Sequence, residues 1–337
     1  MATPSAGFRP DPAAIFQAMN AYQVSMALKG AVELELFTQI ADGATTAPEL
    51  AARMKASEKV VRVLCDFLTV TGFLSKQDGA YSLLPNTAFF LSKRSPAYMG
   101  SAVYFLTHEF QLSHFSDVAG VVRRGGALGD ESVEPENPVW VEFARSMAPI
   151  SAIGASAVAA LTAQPGRAMK VLDIAAGPGM YGIEVAKRNP QAEVYGVDWK
   201  MVLELSVEHA HQAGVADRYH IIPGSAFEVD LGDGYDLVLL PNFLHHFDPP
   251  TNIKLLRKIR EAMKPDAQLA TIEFVPNDDR VSPPAPATFS FIMLANTRGG
   301  DAYTFAELVD MFQDAGFGES RAHALPPSPQ TLILTAR

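Results

Sequence analysis

The chain has 337 residues, 48% of them hydrophobic, enough for a sizeable core in one large or two ordinary domains. Its formal net charge of −10 argues against a general nucleic-acid binder, because phosphate contacts need clustered Lys and Arg. The single cysteine, Cys65, excludes a disulfide framework and a thiolate metal cluster.

The opening MATPSAGFRP is polar, without the apolar core of a signal peptide. Residues 11–40 read as helical. Thr46 is placed to cap a helix beginning at Pro48. A second helix starts at Ser57, with Val60, Val61, Leu64, Phe67 and Leu68 on one apolar face. GFLSKQDGAYSLL then reads as a hairpin turning at Asp78-Gly79. Helix, turn, helix and hairpin form a winged-helix pattern. A DNA-binding role is disfavoured, since the second helix offers only Lys59 and Arg62 and the protein is acidic, so a packing or dimerisation module is expected.

Residues 96–164 read as mostly helical and include the aromatic stretch AVYFLTHEFQLSHF, with a polar Gly/Pro-rich loop over 123–138. The apolar stretch Pro149–Ala163 is Ala-rich, holds two serines and is too short to span a bilayer. A soluble, cytoplasmic protein is expected. From Met169 strands and helices alternate: MKVLDI, a helix over 180–188, AEVYGVD, a helix from Lys200, RYHIIPG, YDLVLL, a helix over 250–263, QLATIEFV and a helix over 304–315. Two last strands, near 318–324 and 330–336, lie too close for a helical crossover and should pair antiparallel. There are no internal repeats.

VLDIAAGPGMYG carries a GxGxxG at Gly177, Gly179 and Gly182, after a strand and opening a helix, which is the context of a nucleotide-binding fingerprint. Asp198 ends the second strand, where an acid can hold a ribose hydroxyl. Those two features admit both NAD and S-adenosylmethionine. Asp173, four residues before Gly177, separates them. Beside a pyrophosphate it would set negative against negative, whereas beside an ammonium and a sulfonium an acid is favourable. A carboxylate there can also act by holding the glycine loop.

With these motifs in hand the sequence resembles the plant-type small-molecule O-methyltransferases, a family that includes caffeate and hydroxyindole enzymes and bacterial natural-product relatives. The resemblance covers nearly the whole chain. It rests on AVELELFTQIADGATTAPELAARM, GAYSLL, WVEFARSMA, VLDIAAGPG, VYGVD, LPNFLHHF, the strand ending in Glu273, and MLANTRGGDAYTFAELVDMFQDAGF. It implies an α/β class I, Rossmann-like methyltransferase sheet of order 3-2-1-4-5-7-6 with the last strand antiparallel. It also implies three regions: a winged-helix-like dimerisation domain over 1–100, a helical linker lending residues to the substrate pocket over 101–165, and a catalytic domain binding S-adenosylmethionine over 166–337.

The expected partners are a small aromatic acceptor and a second copy of the chain, with neither nucleic acid nor membrane. By the same resemblance His245 stands at the family's general base, Glu273 at the carboxylate that orients it, and His246 where the family has Asp. Cofactor contacts fall on Gly177, Gly179 and Asp198, with Asp173 and Trp199 beside them. Met147 and Met293 stand where the family has pocket methionines.

Two departures stand out. After the third strand Gly224-Ser225-Ala226-Phe227 lacks the family's adenine-side Asp, which leaves Ser225 or the backbone of Ala226 and Phe227. Ala302 stands at the family's second orienting Glu, with Asp301 one residue earlier, which admits an easily ionised hydroxyl, a nitrogen or carbon acceptor, or a non-methylating protein on the same scaffold.

The expected acceptor wall is Phe105, Phe110, Phe143, Met147, Phe289, Phe291 and Met293, flat and apolar, with His108, His246 and Asn296 as polar neighbours and Asn242 on the cofactor side. His209 and His211 read as an exposed helix face. No metal is expected: adjacent histidines project in different directions, and HEFQLSH lacks the i, i+4 pair of a helical zinc motif.

Overall fold

The computed structural model describes residues 11–127 and 137–337, and within them the chain separates between Thr107 and His108 into two units. Most of the polar loop expected over 123–138 lies outside the described residues.

The first unit holds α1 (Ala13–Met19), α2 (Ala21–Glu33), α3 (Leu36–Ala41), α4 (Ala47–Met54), α5 (Glu58–Val70), β1 (Leu74–Gln77), β2 (Ala80–Leu83), α6 (Pro85–Leu91) and α7 (Ala102–Leu106). The helical stretch expected over 11–40 is broken at Asn20 and again at Glu35, whose φ of 53° cannot continue a right-handed helix. Thr46 does cap α4, in a reciprocal capping box with Glu49. On α5 the buried stripe is Val61, Cys65 and Leu68, whereas Val60, expected on that face, is 64% exposed. The hairpin turns at Asp78 and Gly79, both at positive φ, the pairing a two-residue hairpin loop requires. Asp66 on α5 accepts from Lys76 and Tyr81 and so ties the hairpin to the helix.

The second unit runs α8 (Glu109–His114), α9 (Val118–Arg124), α10 (Val139–Thr162), β3 (Met169–Ile174), α11 (Met180–Arg188), β4 (Ala192–Asp198), α12 (Lys200–Gln212), β5 (Tyr219–Pro223), β6 (Tyr235–Pro241), α13 (Pro249–Ala262), β7 (Met263–Glu273), α14 (Pro284–Asn296), α15 (Phe305–Asp314), β8 (Ser320–Ala324) and β9 (Thr331–Ala336). Helix α14 has no counterpart among the sequence expectations.

Its seven strands lie in the order β5-β4-β3-β6-β7-β9-β8. Counted from β3 this is the expected 3-2-1-4-5-7-6, and β9 runs antiparallel to both neighbours. Both faces of the sheet are covered, so the central strands are continuous apolar runs. Leu172, Ile174, Val238 and Leu240 enter one core, while Val171, Leu237 and Leu239 alternate into the other. The chain order reverses at β3, and a crevice at the carboxyl ends of β3, β4 and β6 is where such a sheet receives a ligand.

The stretch judged too short to span a bilayer belongs to a longer helix. α10 has 24 residues and by length and apolarity alone could cross a membrane. Its Ala155, Val158 and Ala159 are instead buried in the core they share with β3 and α11.

Gly182 brings α11 close to the sheet: a methyl group there would lie 2.6 Å from Val194 Cγ1 and 2.9 Å from Asp173 Oδ2. Gly182→Ala is therefore expected to cost about 1–3 kcal/mol by overpacking, measured by urea unfolding. An unchanged midpoint would show that the helix seats less tightly than these distances require.

Candidate active site

The glycine loop joins β3 to α11 through Ala175, Gly177 and Gly179, with φ of 53°, 55° and 78°. Ala175 holds a left-handed conformation that costs an L-residue about 1–2 kcal/mol. Neighbouring side chains hold the loop. Gly177 N donates to Asp198 Oδ2 at 2.8 Å, and Gly179 N to Ala176 O at 2.8 Å. Gly182 N donates to Asp173 Oδ2 at 2.9 Å. From α12, Ser206 Oγ donates to Gly177 O at 2.6 Å and His209 Nδ1 to Pro178 O at 2.8 Å. His209 is half-buried by this contact, in contrast to the exposed position expected for it, while His211 is exposed as read.

A pyrophosphate needs free loop N–H groups. Here those of Gly177 and Gly179 are committed, position 178 is proline, and that of Gly182 faces a carboxylate. The space over Gly177 is open, the nearest atom to an added Cβ being Ala175 O at 3.9 Å.

Asp173 is fully buried, and its Oδ1 has no hydrogen-bond partner. Burial pushes its carboxyl up to about 8, against the Gly182 N–H and with the Asp198 charge adding to the rise. Burial likewise raises Asp198 to about 6, despite donors from Gly177 and Trp199. Two carboxyls short of positive charge beside a bare glycine face fit a ligand carrying an ammonium and a sulfonium, which is S-adenosylmethionine.

In the loop after β5, Ser225 Oγ accepts from Phe227 N at 3.3 Å, and Ala226 is buried. Phe227 packs edge-on to Phe247 with ring centroids 5.0 Å apart. Lys258 of α13, a residue the sequence reading passed over, donates to Ala226 O at 3.0 Å and Val229 O at 2.6 Å and holds this loop. Trp199 caps α12 and packs on Ala144 and Val202 of the same unit.

The second half of the site follows β6. Glu273, 3% exposed at the end of β7, accepts from Phe243 N at 3.0 Å and Leu244 N at 2.9 Å through Oε1. Its Oε2 lies 2.6 Å from His245 Nδ1, and His245 is 5% exposed. A carboxylate only accepts, so Nδ1 carries the proton and Nε2 keeps a lone pair. Asn242 adopts φ of 54°, a conformation Asn tolerates, and its Oδ1 accepts from Gln330 in the β8–β9 turn.

Asn252 donates to Leu244 O at 2.8 Å and Phe247 O at 3.2 Å, and Tyr303 Oη donates to Phe247 O at 2.5 Å. Gly300 presses on the same turn, where a Cβ would meet His245 O at 2.1 Å. His246 is held neutral, its ring pushed well below the usual imidazole range by burial and by His245. Ala302 is fully buried, and Asp301 is paired with Arg280 at 3.1 Å.

Of the expected acceptor wall, Phe289 packs edge-on to His245 with ring centroids 4.8 Å apart and stacks on Phe274. Met293 is buried one turn later on α14. Phe143 and Met147 are half-buried, four residues apart on α10. Asn296 spends its amide on Ile292 O at 2.8 Å. Three further residues of that expectation have other contacts. Phe291 is 48% exposed and packs on Phe115, Phe110 packs on His114, and His108 is exposed and caps α8 by accepting from Phe110 N. Phe105 lies in the first unit, buried on α7.

The O-methyltransferase domain family matches residues 115–318, and the O-methyltransferase dimerisation domain family matches residues 16–93. A putative O-methyltransferase of known structure from Nostoc punctiforme is 47% identical, with a TM-score of 0.93 over 98% of this chain and 100% of that one. The 3-hydroxy-5-methyl-1-naphthoate 3-O-methyltransferase of Streptomyces sahachiroi is 28% identical over 87% of this chain and 86% of its own. The fold also matches human N-acetylserotonin methyltransferase, solved with S-adenosylmethionine, at a TM-score of 0.83 and 20% identity over 98% of this chain and 99% of that one. The chain therefore belongs to the O-methyltransferase family. It is an S-adenosylmethionine-dependent enzyme that carries the family's dimerisation domain.

Asp173 gives this site a pH signature. A carboxyl raised above its unfolded value leaves the ligand-free fold unpenalised below about pH 4, and stability is lost as pH rises through about 8. The stability gap between Asp173→Asn and the parent, read by urea unfolding without cofactor, should therefore widen in favour of the variant from pH 4 to 8 and then level off. Parallel curves would place the titration elsewhere.

Proposed function

We propose that the enzyme methylates a hydroxyl of a small aromatic acceptor, with His245 as general base and Glu273 as the carboxylate that orients it. The observation that carries this reading is the buried 2.6 Å contact between the two side chains at the ends of adjacent parallel strands. S-Adenosylmethionine, when bound, would supply an electrophilic methyl group whose neutral thioether leaving group needs no acid.

The chain must then orient the acceptor and take its proton. A phenol titrates near pH 10 and gains from a base, and imidazole is the side chain suited to that task near neutral pH. Glu273 fixes the tautomer that leaves the Nε2 lone pair free, and its charge stabilises the imidazolium that forms. His246, held neutral, does not compete as a base and borders the acceptor as a polar wall. Phe289 and Met293 supply the flat apolar side, which agrees with the naphthoate acceptor named for the Streptomyces sahachiroi relative.

Ala302 favours a second reading. With one orienting carboxylate instead of two, the acceptor is a hydroxyl that ionises easily, or a carbon or nitrogen that asks less of a base. The enzyme acts as a homodimer in this reading, since Ile15, Phe16, Met19 and Tyr22 of the first unit are about 60% exposed and suit burial against a second copy.

Incubation with labelled S-adenosylmethionine and a panel of phenols identifies an acceptor. With it, His245→Ala should lower kcat by about 10²–10⁴-fold. Glu273→Gln should also lower kcat and alter its pH profile. Full methylation by His245→Ala would sink the base assignment and leave the fold untouched. Gly300→Ala pushes on the His245 carbonyl and should cost up to about 10²-fold in kcat, while calorimetry shows S-adenosylhomocysteine still binding. Unchanged kcat in that variant would show that the turn accommodates the methyl group.

A further inference from the structure

We propose that Ser206 and His209, three residues apart on α12, are positioning residues that set the affinity for the cofactor by clamping the glycine loop through its carbonyls. Three observations lead there. First, Ala175 is held at φ of 53°, so the loop does not keep its shape from local preference and must be over-determined by its surroundings. Second, on the N–H side the loop leans on Asp198, the carboxyl that the family resemblance assigns to the ligand. Third, two consecutive carbonyls, Gly177 O and Pro178 O, turn toward α12, where Ser206 Oγ at 2.6 Å and His209 Nδ1 at 2.8 Å receive them.

A carbonyl only accepts, so the imidazole holds its proton on Nδ1. The clamp is independent of Asp198 and stays in place when the ligand engages that carboxylate. Without it the loop samples other conformations, and binding bears the cost of ordering it. The proposal rests on the family's dependence on S-adenosylmethionine. It involves neither the acceptor nor His245.

The experiment is calorimetric titration of the full-length protein with S-adenosylhomocysteine. Each folded state is checked first by thermal melting. Ser206→Ala and His209→Ala should each raise Kd about three- to tenfold, the worth of one hydrogen bond. His209→Asn places an amide nitrogen where Nδ1 stood and should restore the parent Kd. His209→Gln places its nitrogen nearer Nε2 and should not. Parent affinity in His209→Ala, or equal affinities in the Asn and Gln variants, overturns the proposal. If His209→Ala fails to fold, the comparison of Asn with Gln still decides.

Discussion

One buried carboxylate organises the end of the sheet. Glu273 receives three N–H donors, two from the backbone of Phe243 and Leu244 and one from the His245 ring. A carboxylate at 3% exposure is tolerable only when its lone pairs are so occupied, and the same bonds fix the path of the chain leaving β6. The other constraints follow from that path. Asn242 must enter the left-handed region, Asn252 and Tyr303 take up the carbonyls that the tight turn frees, and residue 300 must lack a side chain. Satisfaction of one anion and placement of one imidazole are thus the same structural event.

The glycine-loop half obeys the opposite logic. There the carboxyls are under-satisfied. Asp173 keeps an oxygen without a partner, and both Asp173 and Asp198 are pushed toward their protonated forms. A site that is electrically complete without its ligand gains little from a charged one. A site left short of positive charge draws a cation and rejects a phosphate. The contrast between Glu273 and Asp173 therefore divides the crevice into a half whose carboxylate is paired within the chain and a half whose carboxyls are left short of partners.

Much of this was legible in the sequence because it is local. The capping box at Thr46, the turn at Asp78-Gly79 and the GxGxxG context each depend on residues a few positions apart, whereas the strand order was reached through the family resemblance. The partners of the site were not, because they are distant. Asn252 and Tyr303 reach the 244–247 turn from helices and loops up to 56 residues away, and Gln330 reaches Asn242 across 88. Lys258 and His209 look like ordinary charged or polar helix positions until the loops they hold are folded against them. Val60 erred differently. It has the right chemistry for a buried stripe and lies about a third of a turn off it, a difference that apolar spacing alone does not resolve.

The adjacent histidines show how position along a turn divides chemically identical groups. His245 Nδ1 lies 2.6 Å from the Glu273 carboxylate and donates to it. His246 has aromatic neighbours at Phe243 and Phe247, a buried Nδ1 without a partner, and another imidazole 4.5 Å away. Burial and the neighbouring His245 ring disfavour a positive charge there. The sequence HH therefore encodes one imidazole seated on a carboxylate and one whose buried Nδ1 has no such partner. The asymmetry is produced by the single carboxylate that the next strand delivers.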